Sequence, residues 1–147
     1  MTIIDKLKST IELSGVPFIY GTPKDLNHAM DMADFDTNCI YAYCPVVQSA
    51  TLTNTDGVYR EKINVLVSFV TETKHDPHMI ENEQLITDCK AAAIKWLYSL
   101  NGRAQFRVDT IQSTQRVYDA QDRILTGFAL SVSLVETNGI SACNYGQ

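Results

Sequence analysis

The absences in this sequence restrict its function more than its motifs do. No apolar run approaches the roughly 18 to 20 residues that cross a bilayer. The opening "MTIIDKLKSTIELSG" is too mixed in charge, and its apolar run too short, for a secretory signal. A cytosolic origin without a membrane partner is the expectation. Cysteine is sparse, and Cys39, Cys44, Cys89 and Cys143 fit neither paired Cys-x-x-Cys zinc knuckles nor a dense disulfide framework. Reduced, structural thiols are expected, with Cys89 on the apolar face of a helix. Positive charge is also short: 12 Lys and Arg against 17 Asp and Glu give a net charge of -5. The basic residues look scattered, as Lys6 and Lys8, Arg60 and Lys62, Lys90 and Lys95, Arg103 and Arg107. A surface that grips nucleic-acid phosphates needs them clustered. An acidic wall past which DNA slides is compatible with this balance.

Motifs of catalysis are missing as well. There is no G-x-S-x-G elbow, no G-x-x-x-x-G-K-[ST] loop and no G-x-G-x-x-G turn. Nothing in the spacing of Ser, His and Asp selects a triad. The expectation is a protein that is not an enzyme and needs no cofactor. His75 and His78 flank Asp76, and as metal ligands they would need further partners, with Cys89 the nearest in sequence. The polar entry to a helix accounts for them without a metal. The acidic group "DMADFD" (31–36) lacks the alternating oxygens and terminal Glu of a calcium loop, and reads as a solvated helix end. Asp119 and Asp122 read as turn residues. Tyr41, Tyr43, Tyr59, Phe106 and Tyr118 fall on expected strands, without the interleaved Arg and Lys of sheet-based RNA binders.

What is present is a clear order of elements in 147 residues, enough for a single domain with a real core. Thr2 with Asp5 makes a capping-box start, and Gly15 a stop. Thr22-Pro23 with Asp25 repeats the start for a second helix to about Met32, after a short extended segment at 16–21. The chain is then extended from Cys39 to about Thr53, with Pro45 marking an edge or a bulge. Asn54-Thr55-Asp56-Gly57 turns it into a strand where Ile63, Val65, Val67 and Phe69 alternate with Asn64, Leu66, Ser68 and Val70. Asp76-Pro77 starts the main helix, whose face is Leu85, Ile86, Cys89, Ala92, Ala93, Trp96, Leu97 and Leu100. The run Ala91, Ala92 and Ala93 would let it sit close to a sheet. Asn101-Gly102 closes it. A second hairpin runs from Phe106 and Val108, through a turn at 119–122, to a strand carrying Ile124, Phe128, Leu130, Val132 and Leu134. The opposite face of that strand has Gly127, Ala129, Ser131 and Ser133. The fold class is α+β: an antiparallel sheet of about four strands, in two hairpins, packed on one long helix with N-terminal helices.

Two stretches have no core of their own to serve. Residues 48–61 read as a projecting hairpin arm, and 137–147 as a C-terminal tail without regular pattern. Leu52, Asn54, Asp56, Gly57, Val58 and Tyr59 in the arm, with Ile140 and Tyr145 in the tail, are the expected subunit-interface residues. Head-to-tail contacts of this kind generate rings when the rotation closes. The arm "ATLTNTDGVYREKINVLVSFV", the helix "ENEQLITDCKAAAIKWLYSL" and the closing "RVYDAQDRILTGFALSVSLVE" together resemble the tail-terminator and tail-completion proteins of tailed bacteriophages. Neck ring proteins of crAss-like phages are one subgroup of the resemblance, which covers residues 2 to 135 at the level of element order. It implies a structural virion protein of the neck or tail, assembled in the host cytoplasm. The subunits would form a homo-oligomeric ring of about six or twelve copies. The implied partners are neighbouring phage neck and tail proteins, with DNA passing through the lumen without specific binding. Two other readings stand beside it: a ligand- or peptide-binding module with a cleft between long helix and sheet, and a metal-dependent enzyme using His75 and His78.

Overall fold

A computed structural model describes residues 2–32, 34–36, 38–73, 80–100, 106–117, 125–138 and 140–141. The elements are α1 (Ile3–Leu13), β1 (Phe18–Gly21), α2 (Pro23–Asp31), β2 (Tyr41–Pro45), β3 (Ser49–Thr55), β4 (Val58–Glu72), α3 (Asn82–Ser99), β5 (Phe106–Val117), β6 (Leu125–Glu136) and β7 (Ile140–Ser141). The class is α+β, as expected, and both N-terminal helices and the long helix are present. Both capping boxes form: the Thr2 hydroxyl accepts from Asp5 N–H at 3.1 Å, and the Thr22 hydroxyl from Asp25 N–H at 3.4 Å. The carboxylates return the bond to the cap N–H, which holds Asp5 and Asp25 below the usual carboxylate range.

The sheet is larger than the expected four antiparallel strands. Among the described residues it has seven, in the order β1-β2-β4-β6-β5, with β3 and β7 also paired to β4. It is mixed, because β1 lies parallel to β2 and α2 makes the crossover between them. The extended run from Cys39 is two strands rather than one. Tyr43 pairs with Ser68 and Ser49 with Asn64, so five residues (44–48) oppose three (65–67) on β4. This is the bulge that Pro45 signals, since proline cannot donate to the ladder. The main helix also starts later than expected: Ile80 and Glu81 are turn, and α3 begins at Asn82. The expected cap at Asp76-Pro77, the stop at Asn101-Gly102, the turn at 119–122 and Ile124 lie outside the described residues.

One face of the sheet carries α1 and α3. Ile63, Val65, Val67 and Phe69 of β4, with Leu130, Val132 and Leu134 of β6, meet Leu7 and Ile11 of α1 and Cys89, Ala93 and Trp96 of α3. Of the alanine run only Ala93 is fully buried, while Ala91 is exposed. Trp96 donates to the Thr10 hydroxyl at 3.1 Å, and Lys6 pairs with Glu136 at 2.6 Å, so both bonds tie α1 into the layer. The opposite face, called the outer face below, is covered at one end by α2. There Leu26 and Met30 pack with Tyr43, Val70 and Leu125. Further along that face the small residues of β6 expected from sequence appear. Ser131 and Ser133 join Gln112 of β5, Asn64 of β4 and Ser49 of β3 in one hydrogen-bonded polar chain across four strands.

Candidate functional site

The β3–β4 hairpin sets the geometry of the site. β6 leaves β4 at the Lys62–Val135 pair, so Val58 to Glu61 continue past it by about 13 Å, at roughly 3.3 Å per residue. Ser49 to Thr51 pair with the part of β4 that still contacts β6, so only 52–61 of the expected arm stands beyond that pairing. Asp56 and Gly57 both take positive φ, 54° and 82°, as a two-residue hairpin turn requires. The Asn54 side chain accepts from Gly57 N–H at 3.0 Å. Three of the expected interface residues, Asn54, Asp56 and Gly57, therefore build the turn itself.

Leu52, at 69% exposure, and Tyr59, at 39%, present apolar surface on the arm, and Val58 is half-buried. The tail is not wholly unpatterned: β7 returns to β4, setting Ile140 opposite Tyr59 and Ser141 opposite Val58 within one chain. Cys143 and Tyr145 lie outside the described residues, as do His75 and His78.

The sheet has two long outer edges. β5 pairs only with β6 among the described residues, and its ladder is broken by two register shifts, between Val108 and Thr110 and between Ile111 and Ser113. Such irregularities discourage a further strand from adding. β3 is different: its seven pairs to β4 run without a shift, and its sequence SATLTNT has no charge and no proline. The Thr55–Val58 pair closes the two-residue turn, so alternate residues Ala50, Leu52 and Asn54 direct their N–H and C=O to the open edge.

At the base of the arm, on the outer face, is a cleft of about 500 Å³. Arg60 and Lys62 of β4, Arg107 and Asp109 of β5, and Glu136 line it, with Val135 buried at 5% exposure. The sequence gives these cations as scattered pairs; strand register brings three of them together. Lys62 pairs with Asp109 at 3.0 Å, which holds the Asp109 carboxyl below its usual range, with Arg107 adding to the effect. That pair persists into acid and is lost only as pH falls through the lowered pKa of Asp109. Arg60 and Arg107 form no ion pair within 4 Å among the described residues.

The alternative cleft, between α3 and the sheet, is occupied by fully buried Cys89, Ala93, Trp96, Val67 and Phe69. No three His, Cys, Asp or Glu side chains converge as metal ligands among the described residues. No helix among them is long and apolar enough to cross a membrane. Cys39, Cys44 and Cys89 are free thiols. Burial pushes Cys44 and Cys89 up to about 12, and Cys39 is raised by donating to Asp36. Alkylation of the native chain at about pH 8 is therefore expected to spare Cys44 and Cys89, because only the thiolate reacts. Peptide mapping before and after denaturation checks this, and rapid native labelling of Cys89 would place it outside the core.

The chain matches no known protein-family model and no curated protein.

Proposed function

We propose that this chain is a structural subunit of a ring in the neck or tail of a tailed bacteriophage, joined to adjacent rings around the DNA path. The element order that carries the resemblance supports this reading. The observation that carries it furthest is the open edge of β3: seven residues, uncharged and unbulged, the last four of them on an arm that extends past β6. An edge left unprotected in this way is suited to pairing with another chain. The exposed Leu52 beside it adds apolar contact. The acidic balance suits a wall past which DNA moves. The subunit supplies shape and contact, and no chemical step.

Leu52→Pro tests the reading, because the lost N–H faces the open edge and the ladder to β4 is spared. Leu52→Lys blunts the same edge without constraining the backbone. In a phage relying on either variant, joined head–tail particles are expected to fall by about tenfold or more, the loss of a modest interface contact. Circular dichroism of the purified subunit should be unchanged. Normal joining with both variants would remove the arm from the interface.

A further inference from the structure

The cleft and the acidic residues Asp31, Asp34 and Asp36 occupy opposite ends of one sheet face. Asp31 ends α2, with Asp34 and Asp36 just after it, and α2 covers the outer face where Val70 and Tyr43 lie. The cleft sits on the same face at Lys62. Eight residues of β4 separate Lys62 from Val70, roughly 26 Å at strand rise, too far for the two to meet within one chain.

Their charges are complementary. Arg60, Lys62 and Arg107 line the cleft with Asp109 and Glu136, so three cations meet two carboxylates there, and Lys6 engages Glu136 from the α1 side. This is a local excess of positive charge on a chain of net charge -5. Lys62 and Lys6 are committed to Asp109 and Glu136 at 3.0 and 2.6 Å, which leaves the two guanidiniums to face an incoming anion. Guanidinium matches carboxylate geometry with two parallel hydrogen bonds. At the other end Asp31, Asp34 and Asp36 are all exposed, and Asp36 also accepts from Asn38 N–H and the Cys39 thiol.

We infer that the cleft receives the acidic segment 31–36 of a neighbouring copy, so that copies associate head to tail across the outer face. The two patches are distinct and lie apart, so each copy offers one of each, and such a heterologous contact propagates or closes into a ring. The inference rests on the ring reading above and names one contact between its copies. Phosphate would meet the same guanidiniums. The acidic segment is favoured because this chain itself supplies it.

Charge exchange tests it. One variant carries Arg60→Glu and Arg107→Glu; the other carries Asp31→Lys and Asp34→Lys. The wild type, in about 20 mM salt, is expected to form species larger than a dimer by light scattering, and to lose them in about 0.5 M salt as the charges are screened. Each variant alone is expected to associate about tenfold or more weakly, because like charges then face one another. Their equimolar mixture offers two complementary contacts, the wild-type cleft against the wild-type segment and the altered cleft against the altered segment with signs exchanged, and is expected to regain the wild-type mass. A mixture that stays monomeric overturns the inference, as does association that stops at a dimer or a wild type that remains monomeric. Binding of a short DNA duplex by the wild type, lost only in the arginine variant, would also overturn it and give the cleft to phosphate. None of these outcomes touches the β3 edge, whose test is particle joining by the Leu52 variants, so the two ideas fail separately.

Discussion

Trp96→Ala is expected to remove about 3 to 5 kcal/mol of stability, the range for deleting a fully buried large aromatic. Trp96 is fully buried, and it is the only tryptophan. Its ring sits 5.9 Å from that of Phe69 on β4, and its indole N–H donates to Thr10 on α1. One side chain thus joins α3, α1 and the central strand, and its loss opens a cavity where three elements meet. A domain of this size has only about 5 to 15 kcal/mol in total, so the variant would lie near the limit of folding. Urea unfolding followed by circular dichroism should show a midpoint lower by about 1 to 2 M. Trp96→Phe separates the causes: it keeps much of the volume and loses the hydrogen bond, worth about 1 kcal/mol. A loss below about 1 kcal/mol for Trp96→Ala would contradict the burial of this ring between α3, α1 and β4.

Legibility in the sequence followed the range of each interaction. The caps at Thr2 and Thr22 depend on residues three apart, and both formed as read. The turn at Asp56-Gly57 and the alternation of Ile63, Val65, Val67 and Phe69 are also local, and they too appear in the fold. The sheet is larger than the local pattern implies because its size is set by long-range pairing. Phe18–Gly21 is only four residues long and is defined by lying parallel to Tyr41–Pro45, beyond a helix. Two-residue β7 leaves no periodic signal at all. The late start of α3 has a different cause: its N-cap Glu81 makes no side-chain bond, so the cap-and-proline rule had nothing to find there.

The candidate site divides along the same line. The arm was legible because its turn chemistry is local and its polar residues break the apolar alternation. The cleft was not, since Arg60 and Lys62 meet Arg107 only through the pairing of β4 with β6 and β6 with β5. Charge counted along the chain gives scattered pairs; charge counted across the register gives a patch. One signal was present: Arg60 and Lys62 are two apart on an expected strand and must share a face. The same register explains why Gly127, Ala129, Ser131 and Ser133 are small. They lie on the outer face of a central strand, where Ser131 and Ser133 hydrogen-bond to Gln112 of β5 and Ser133 also to Asn64 of β4.

Gly127 is where that smallness is obligatory. It pairs with Val70 on one side and Val117 on the other. A Cβ added there would stand 2.0 Å from the Phe69 carbonyl oxygen and 2.9 Å from Val70 Cα. Both are backbone atoms of the central strand, so no rotamer change relieves the contact. Gly127→Ala must separate β4 from β6 locally, next to Phe69 and the Trp96 layer it supports, and is expected to cost about 3 kcal/mol or more, at or above the usual range for overpacking. Gly57→Ala makes the contrast, because a Cβ at Gly57 meets nothing within 4 Å and only the φ of 82° is strained. That substitution is expected to cost about 1 to 2 kcal/mol. Trp96 fluorescence in urea reads both variants on one scale, since the tryptophan leaves the core when the sheet opens. A Gly127→Ala variant no less stable than Gly57→Ala would mean that β4 and β6 are not as close at this point as their register places them.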